Sequence, residues 1–144
     1  MNKNQLKLMH YGTMINDVIT KTESTQEGLN PEFEALRNAI DSDKLADFDK
    51  AAYAKTQADF KAGTATYQDL LNQLETAAVP ARLIGNHKLL AGSYARFVDA
   101  CVAMTNSLGD DVTIDTAAFD AAEKIQDEET DKITKYLQKI SVLV

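Results

Sequence analysis

A continuous apolar stripe between Pro80 and Leu108 constrains this chain more than any other feature of its 144 residues. Its members recur at intervals of three and four positions, which places them on one face of an α-helix of about eight turns. Because a single helix cannot bury such a face alone, the stripe predicts partner helices. The stripe consists of Ile84, His87, Ala91, Tyr94, Val98, Cys101, Thr105 and Leu108, widened by Leu83, Leu90, Phe97 and Met104.

The composition favours a few long helices in one domain. Hydrophobic residues make up 44% of the chain, which is enough for a sizeable core. Only six glycines and two prolines are present, whereas a β-rich protein of this length needs many more turn residues. We therefore predict a single all-α domain over residues 1–144.

Four helical regions follow from the apolar spacing. The first covers about residues 3–24 and is closed by Gly28, a residue typical of helix ends. The second opens at Asn30 and Pro31, which suit the N-cap and the first helical position, and extends toward Ala78. The third is the stripe itself, and the fourth begins after Asp115 as N-cap.

The second region is too long to be straight. Residues 31–78 would form a helix roughly 72 Å long at about 1.5 Å per residue, more than a compact domain of this size allows. We expect a bend or break near Asp41 or Gly63. Since the connections after Ala78 and Leu108 are short, neighbouring helices should be antiparallel. The prediction is an up-and-down antiparallel bundle of four helices, the second of them long and bent or broken.

Charge excludes some partner classes. The net charge is −7, and both halves of the chain are acidic, so the long-range field repels nucleic acid and anionic membrane surfaces. No apolar run approaches the roughly 18–20 residues of an integral membrane segment. The first residues lack the apolar core of a signal peptide. We expect a cytoplasmic protein as the sequence stands, or an extracellular or envelope protein if a signal peptide was removed.

His87 is the sharpest candidate for chemistry because it lies on an apolar helical face, where an imidazole needs a hydrogen-bond partner. Di-iron bundles use Glu-x-x-His, but Ile84 stands three residues before His87 and Lys7 three before His10. Two histidines also cannot form a His-rich metal site. We interpret His87 as a structural core histidine and predict no metal or cofactor; the alternative is that it contacts a ligand.

Glu128 and Glu129 interrupt the apolar seam of the fourth helix. An inward carboxylate is costly unless it is paired. The antiparallel register about the preceding loop places residue 129 roughly level with Tyr94. We expect a hydrogen bond between Tyr94 and Glu129; the alternative is a polar internal pocket that holds a cation or a small ligand.

Catalytic motifs are missing from the sequence. Phosphate-binding glycine loops, Gly-x-Ser-x-Gly elbows and paired cysteines do not occur. The sole cysteine, Cys101, lies on the apolar stripe about four helical turns from His87, so we interpret it as a small core residue rather than a nucleophile. The sequence therefore predicts a protein that is not an enzyme.

One short segment resembles a known group of proteins. The mature domains of small helical proteins and lipoproteins of Gram-positive bacteria have a proline that opens a helix with a histidine one to two turns later. The resemblance covers about twenty residues and implies a bacterial helical bundle, although no lipobox cysteine stands near the start of this chain. It depends on Ala78, Val79, Pro80, His87, Leu90, Tyr94 and Phe97.

Two functions remain open at this point. The first is a non-enzymatic bundle that acts through protein–protein binding or self-association, for example as a homodimer. The second is a small-ligand or metal-binding bundle with a polar site around His87, Tyr94 and Glu129. An open polar cavity around His87 would favour the second function, and a closed, dry core there would favour the first.

Overall fold

The computed structural model describes all residues, Met1–Val144, and confirms the all-α prediction. It contains four α-helices and no strand; a single isolated β-bridge joins Leu108 and Ile114. Two one-turn 3-10 helices supplement the four. The bounds are α1 Lys3–Asp41, α2 Lys50–Glu75, α3 Ile84–Ser107 and α4 Thr116–Leu143, with 3-10 turns at Leu45–Asp47 and Ala81–Leu83.

Successive helices are antiparallel neighbours, as an up-and-down bundle requires. Gln73 near the end of α2 donates to Asp17 of α1, and Gln126 of α4 donates to the sulfur of Met104, near the end of α3. The α3 and α4 backbones approach each other along the greatest length, whereas those of α1 and α4 hardly approach at all. The first and last helices are therefore spaced more widely than the other neighbours, and side chains such as the stacked rings of Phe33 and Phe119, 5.8 Å apart, bridge them.

Helix α1 continues through the place where the sequence predicted a boundary. The expectation that the first helix closes at Gly28 and a second begins at Asn30 and Pro31 is wrong, because α1 is helical through all three residues. Proline removes one N–H donor from the ladder. Burial of the neighbouring turns offsets that loss, since Leu36 is completely buried and Leu29 packs against Gly63 of α2.

The break falls near Asp41, one of the two places predicted. After α1 ends, the chain passes through the 3-10 turn, and α2 starts with Asp49 as N-cap, whose carboxylate accepts from the Ala52 N–H at 2.8 Å. Gly63 does not bend α2. A Cβ at Gly63 would lie 2.6 Å from Leu29 Cδ1, so this glycine lets α1 and α2 approach closely.

The start of α4 follows the sequence-based prediction. Asp115 is the N-cap, and its carboxylate accepts from the Ala118 N–H at 3.1 Å. Ile114 and Phe119, on either side of the first turn, are both buried. None of the four helices contains a segment that is both long enough and apolar enough to cross a membrane.

The hydrophobic core consists of two separate clusters of buried side chains. One surrounds Tyr11, Leu74, Tyr94 and Ile140, and the other surrounds Leu36, Phe60, Met104 and Phe119. The larger cluster is Tyr11, Ile15, Val18, Tyr67, Leu70, Leu74, Leu83, Leu90, Tyr94, Phe97, Val98, Cys101 and Ile140. The space where the clusters meet holds the candidate site.

Candidate functional site

His87 lies in a part of the core that we call the closed end, formed by Tyr11, Leu74 and His87; an open groove of about 610 Å³ on the surface also borders Leu74 and His87. The His87 side chain is almost fully buried. Its Nε2 is 2.8 Å from the Leu74 carbonyl oxygen, which can only accept, so Nε2 carries a proton and donates. In the neutral ring, Nδ1 then accepts from the Tyr11 hydroxyl at 2.8 Å. Both ring nitrogens thus have partners inside the protein.

Tyr94 and Glu129 do not meet, so the predicted hydrogen bond between them is wrong. The Tyr94 hydroxyl is 2.8 Å from Thr22 Oγ1 of α1. Glu129 Oε1 instead accepts from Arg96 Nε at 2.7 Å. Residues 94 and 96 are two positions apart, so they point to opposite sides of α3 and reach different helices. His87, Tyr94 and Glu129 therefore do not form one site, and Glu128 is exposed on the surface.

Glu129 is a buried carboxylate held by cations at the α3–α4 contact. Burial alone would raise its pKa, but the Arg96 guanidinium outweighs that effect, with help from the Lys132 ammonium at 3.4 Å, and the pKa is lowered. The second oxygen, Oε2, is enclosed and has no hydrogen-bond partner. No group of three or more His, Cys, Asp or Glu side chains is placed to hold a metal ion.

A cavity of about 450 Å³ opens between α1 and α4 where the two core clusters meet. All four helices contribute to its lining. We call this space the central cavity. It is lined by Gln26, Leu29, Asn30 and Phe33 of α1, Phe60, Thr64 and Tyr67 of α2, Phe97, Cys101, Met104 and Thr105 of α3, and Glu123, Gln126 and Asp127 of α4.

Aromatic side chains dominate the apolar part of the central cavity: Phe33, Phe60, Tyr67 and Phe97 all line it. The rings of Tyr67 and Phe97 are 5.0 Å apart between centroids and tilted by 70°, an edge-to-face arrangement. Burial raises the pKa of the Cys101 thiol to about 12, so this cavity residue stays protonated and unreactive at neutral pH.

The Tyr67 hydroxyl is the notable polar group of this lining. Tyr67 is only 3% exposed, yet its hydroxyl makes no hydrogen bond within the protein. Glu129 Oε2 is the only fully enclosed side-chain polar atom without a partner, so the Tyr67 hydroxyl still reaches open space. The central cavity is the space that Tyr67 lines. Buried tyrosine hydroxyls normally find a partner, so this one is available to a guest molecule.

The two side chains of the lining that are charged at neutral pH, Glu123 and Asp127, are both acidic. Burial, together with repulsion from Asp127 and other nearby carboxylates, raises the pKa of Glu123, and the attraction of Arg37 only partly opposes this. The Arg37 guanidinium lies 3.5 Å from Glu123 but is already engaged at 2.7 Å with both Asp41 and Asp120.

The opening between α1 and α4 continues beyond the central cavity. A smaller compartment of about 90 Å³ shares Gln26 and Phe97 with it and extends toward Leu137 of α4. Its one ionisable lining residue besides Tyr94 is Glu23. Because Tyr94 is among its walls, one residue of the predicted polar site does border the cleft, although His87 and Glu129 do not.

Sequence reasoning assigned the cavity residues to helix packing. Phe60, Tyr67 and Phe97 follow the same spacing as any core residue, so the pattern contains nothing that distinguishes a wall from a filled core. The only available signal was size, since the small side chains of Thr64, Cys101 and Thr105 leave volume between large rings. Comparison of the chain with protein-family models, curated proteins and solved structures finds no match in any of the three.

Proposed function

We propose that this protein is a non-enzymatic binding protein whose central cavity takes a small, largely apolar molecule. The observation that supports this most is the cavity itself. The cavity is open to solvent, and its walls include the buried side chains of Phe60, Tyr67 and Phe97. A space of about 450 Å³ with an aromatic lining and one hydroxyl, that of Tyr67, which reaches open space and makes no hydrogen bond within the protein, has the size and character of small-molecule sites, which span about 300–1,000 Å³.

The chemistry of the lining favours binding without reaction. A cysteine nucleophile needs a lowered thiol pKa and a neighbouring base, whereas the pKa of Cys101 is raised and no histidine lines the cavity. The one buried histidine has both ring nitrogens engaged at the closed end. This supports a protein that holds its ligand unchanged.

The test uses a neutral apolar fluorophore, N-phenyl-1-naphthylamine, whose emission rises when it leaves water. We expect saturable binding by the unmodified protein. Cys101→Leu adds bulk inside the cavity and should abolish binding while leaving the melting temperature equal or higher, because filling a void adds contacts. The matched control is Ala103→Leu, which adds similar bulk at an exposed position of α3 and should bind as the unmodified protein does.

Two outcomes would overturn the proposal. One is the absence of saturable binding by the unmodified protein. The other is equal binding by the Cys101→Leu and Ala103→Leu variants, which would place the fluorophore on the surface. The melting temperatures separate loss of the cavity from loss of the fold.

A protein partner or a second copy of the chain stays a prediction. The observation that favours it is a group of exposed apolar side chains near one end of the bundle: Leu6 and Met9 on α1, and Val142 and Leu143 at the end of α4. Sedimentation velocity over a range of concentrations tests self-association. Association that Met9→Glu removes would support this patch as an interface; a monomer at every concentration would contradict self-association.

A further inference from the structure

We infer that the molecule held in the central cavity is an organic cation, with an amine or quaternary ammonium group attached to an apolar body. This inference rests on the proposed function and specifies its ligand class. It follows from three features of the cavity that are independent of one another: the sign of its charge, the nature of its walls and the free hydroxyl of Tyr67.

The charged side chains that line the opening are all acidic. Glu123 and Asp127 line the central cavity and Glu23 lines the adjoining compartment, while no lysine, arginine or histidine lines either. Arg37 does not line the cavity; it lies 3.5 Å from Glu123 and is engaged at 2.7 Å with Asp41 and with Asp120. A positively charged guest would therefore meet Asp127, which forms no ion pair, and Glu123, whose one ion pair is the 3.5 Å contact with Arg37, whereas an anionic guest such as a fatty acid would be repelled.

The walls suit a cation that has lost part of its hydration. Aromatic faces attract ammonium groups through their quadrupole, by about 0.5–1 kcal/mol at exposed sites and about 2 kcal/mol when desolvated. Phe33, Phe60, Tyr67 and Phe97 line the cavity, and one face of the Phe33 ring is covered by Phe119 at 5.8 Å. A neutral apolar guest would gain the same burial from these rings but would leave Asp127 without a counterion and Glu123 with only the 3.5 Å contact to Arg37.

The Tyr67 hydroxyl and Glu123 both gain from such a guest. The hydroxyl oxygen can accept an N–H bond from a protonated amine, which supplies the partner that Tyr67 lacks. Glu123 has a raised pKa because it is partly buried beside other carboxylates. A bound cation offsets that repulsion and favours the ionised form, so affinity for cations should fall when the pH drops far enough to protonate Glu123.

The experiment displaces the neutral fluorophore with three small probes that share one benzyl body. Benzyltrimethylammonium is the cation, neopentylbenzene is its uncharged isostere, and phenylacetate is an anion. We expect the cation to displace the fluorophore at a concentration about tenfold lower than the uncharged isostere, and phenylacetate to be the weakest. Equal displacement by the cation and its isostere would overturn the inference.

Paired variants locate the effect. Glu123→Gln with Asp127→Asn removes both lining carboxylates, and Asp99→Asn with Asp131→Asn removes two exposed carboxylates outside the cavity, so both variants change the net charge equally. The first should keep the fluorophore and lose the preference for the cation, and the second should keep both. Equal loss of preference in the two variants would assign it to general surface charge and overturn the inference. Failure of the fluorophore to bind at all would instead contradict the proposed function.

Discussion

Tyr11 at the closed end and Tyr67 at the central cavity are the same residue type, similarly buried at 1% and 3% exposure, and yet in opposite situations. The Tyr11 hydroxyl bonds to His87 at 2.8 Å, and that ring bonds in turn to the Leu74 carbonyl. The Tyr67 hydroxyl has no partner and borders about 450 Å³ of open space. A polar group buried without a partner is costly unless something else satisfies it. The hydroxyl of Tyr11 therefore helps to maintain the fold, whereas the hydroxyl of Tyr67 is free to bond to a ligand.

The difference arises from the side chains around each tyrosine. At the closed end, both ring nitrogens of His87 are taken by partners within the protein, the Leu74 carbonyl and the Tyr11 hydroxyl. At the central cavity, Thr64, Cys101 and Thr105 occupy helix positions where larger residues would close the gap. The hydroxyls of Thr64 and Thr105 form a hydrogen bond with each other at 3.2 Å, so they need no partner from a bound molecule.

The largest expected effect is at the closed end. His87→Leu removes both hydrogen bonds and leaves the Tyr11 hydroxyl and the Leu74 carbonyl buried and unpaired. We expect the free energy of unfolding to fall by about 2–4 kcal/mol, since each unpaired buried group costs about 1–3 kcal/mol. Urea denaturation measures it. The control is His10→Leu on the exposed side of α1, which should change stability by less than about 0.5 kcal/mol; similar values for both variants would contradict the closed arrangement.

The second effect extends the comparison to the α3–α4 contact. Arg96→Met and Glu129→Gln should show a coupling of about 0.5–3 kcal/mol in a double-mutant cycle, because the two side chains share a 2.7 Å charged hydrogen bond. Tyr94→Phe combined with Glu129→Gln should be additive within about 0.5 kcal/mol, since these residues do not touch. Coupling between Tyr94 and Glu129, together with additivity between Arg96 and Glu129, would instead support the Tyr94–Glu129 hydrogen bond that the sequence predicted.

The third prediction tests the two tyrosines directly. Tyr11→Phe should lower the free energy of unfolding by about 1–2 kcal/mol, because His87 Nδ1 loses its partner. Tyr67→Phe should be neutral within about 0.5 kcal/mol, because no hydrogen bond is lost. Chemical denaturation of both variants under one set of conditions decides the matter. A large loss for Tyr67→Phe would show that this hydroxyl already has a structural partner.

The smallest effect concerns the pH dependence of two carboxyls on α4. Glu129 has a lowered pKa, so its ionised form stabilises the fold at neutral pH, and the contribution is lost as the pH falls below the ordinary value of about 4.3 and through the lowered one. Glu123 has a raised pKa, so its ionisation opposes folding at neutral pH, and the penalty vanishes at low pH. At pH 7, Glu129→Gln should therefore destabilise and Glu123→Gln should stabilise.

Urea denaturation of the two variants and the unmodified protein at pH 7 and pH 3 checks these signs. Both differences should shrink at the lower pH. If both substitutions changed the free energy of unfolding in the same direction at pH 7, the opposite pKa shifts of Glu123 and Glu129 would be contradicted.

The helical fold could be predicted because apolar residues that recur every three and four positions share one face only when the chain is helical. Helix ends were less accessible, since they depend on competition between local preference and distant packing. Pro31 and Gly28 are typical of boundaries, but burial of Leu36 and the contact of Leu29 with Gly63 keep α1 continuous. Gly63 shows the same limit. The sequence suggested a bend at this residue, but its role in the structure is to leave room for Leu29 of α1.

The candidate site could be predicted only in part. The inward position of Glu129 followed from the interrupted seam, and counting from the loop placed it within two residues of its true partner, Arg96. Such counting gives the level along a helix but not the side that a residue faces. The central cavity could not be predicted because it is a space between side chains. A wall residue such as Phe97 follows the same apolar spacing as a residue of a filled core.

The proline within α1 has a kinetic consequence. Pro31 offers no N–H to the carbonyl of Glu27, so the helical ladder lacks one bond in the segment that supplies Leu29, Asn30 and Phe33 to the cavity wall. The backbones of α1 and α4 hardly approach each other along the opening, so this segment is joined to α4 by side chains: the Phe33 ring stacks on Phe119 at 5.8 Å, and Arg37 pairs with Asp120 at 2.7 Å. Local opening of α1 there costs less than global unfolding. A molecule held in the central cavity would then leave through local opening of this segment of α1, and its residence time would depend on how often the Phe33–Phe119 and Arg37–Asp120 contacts break together.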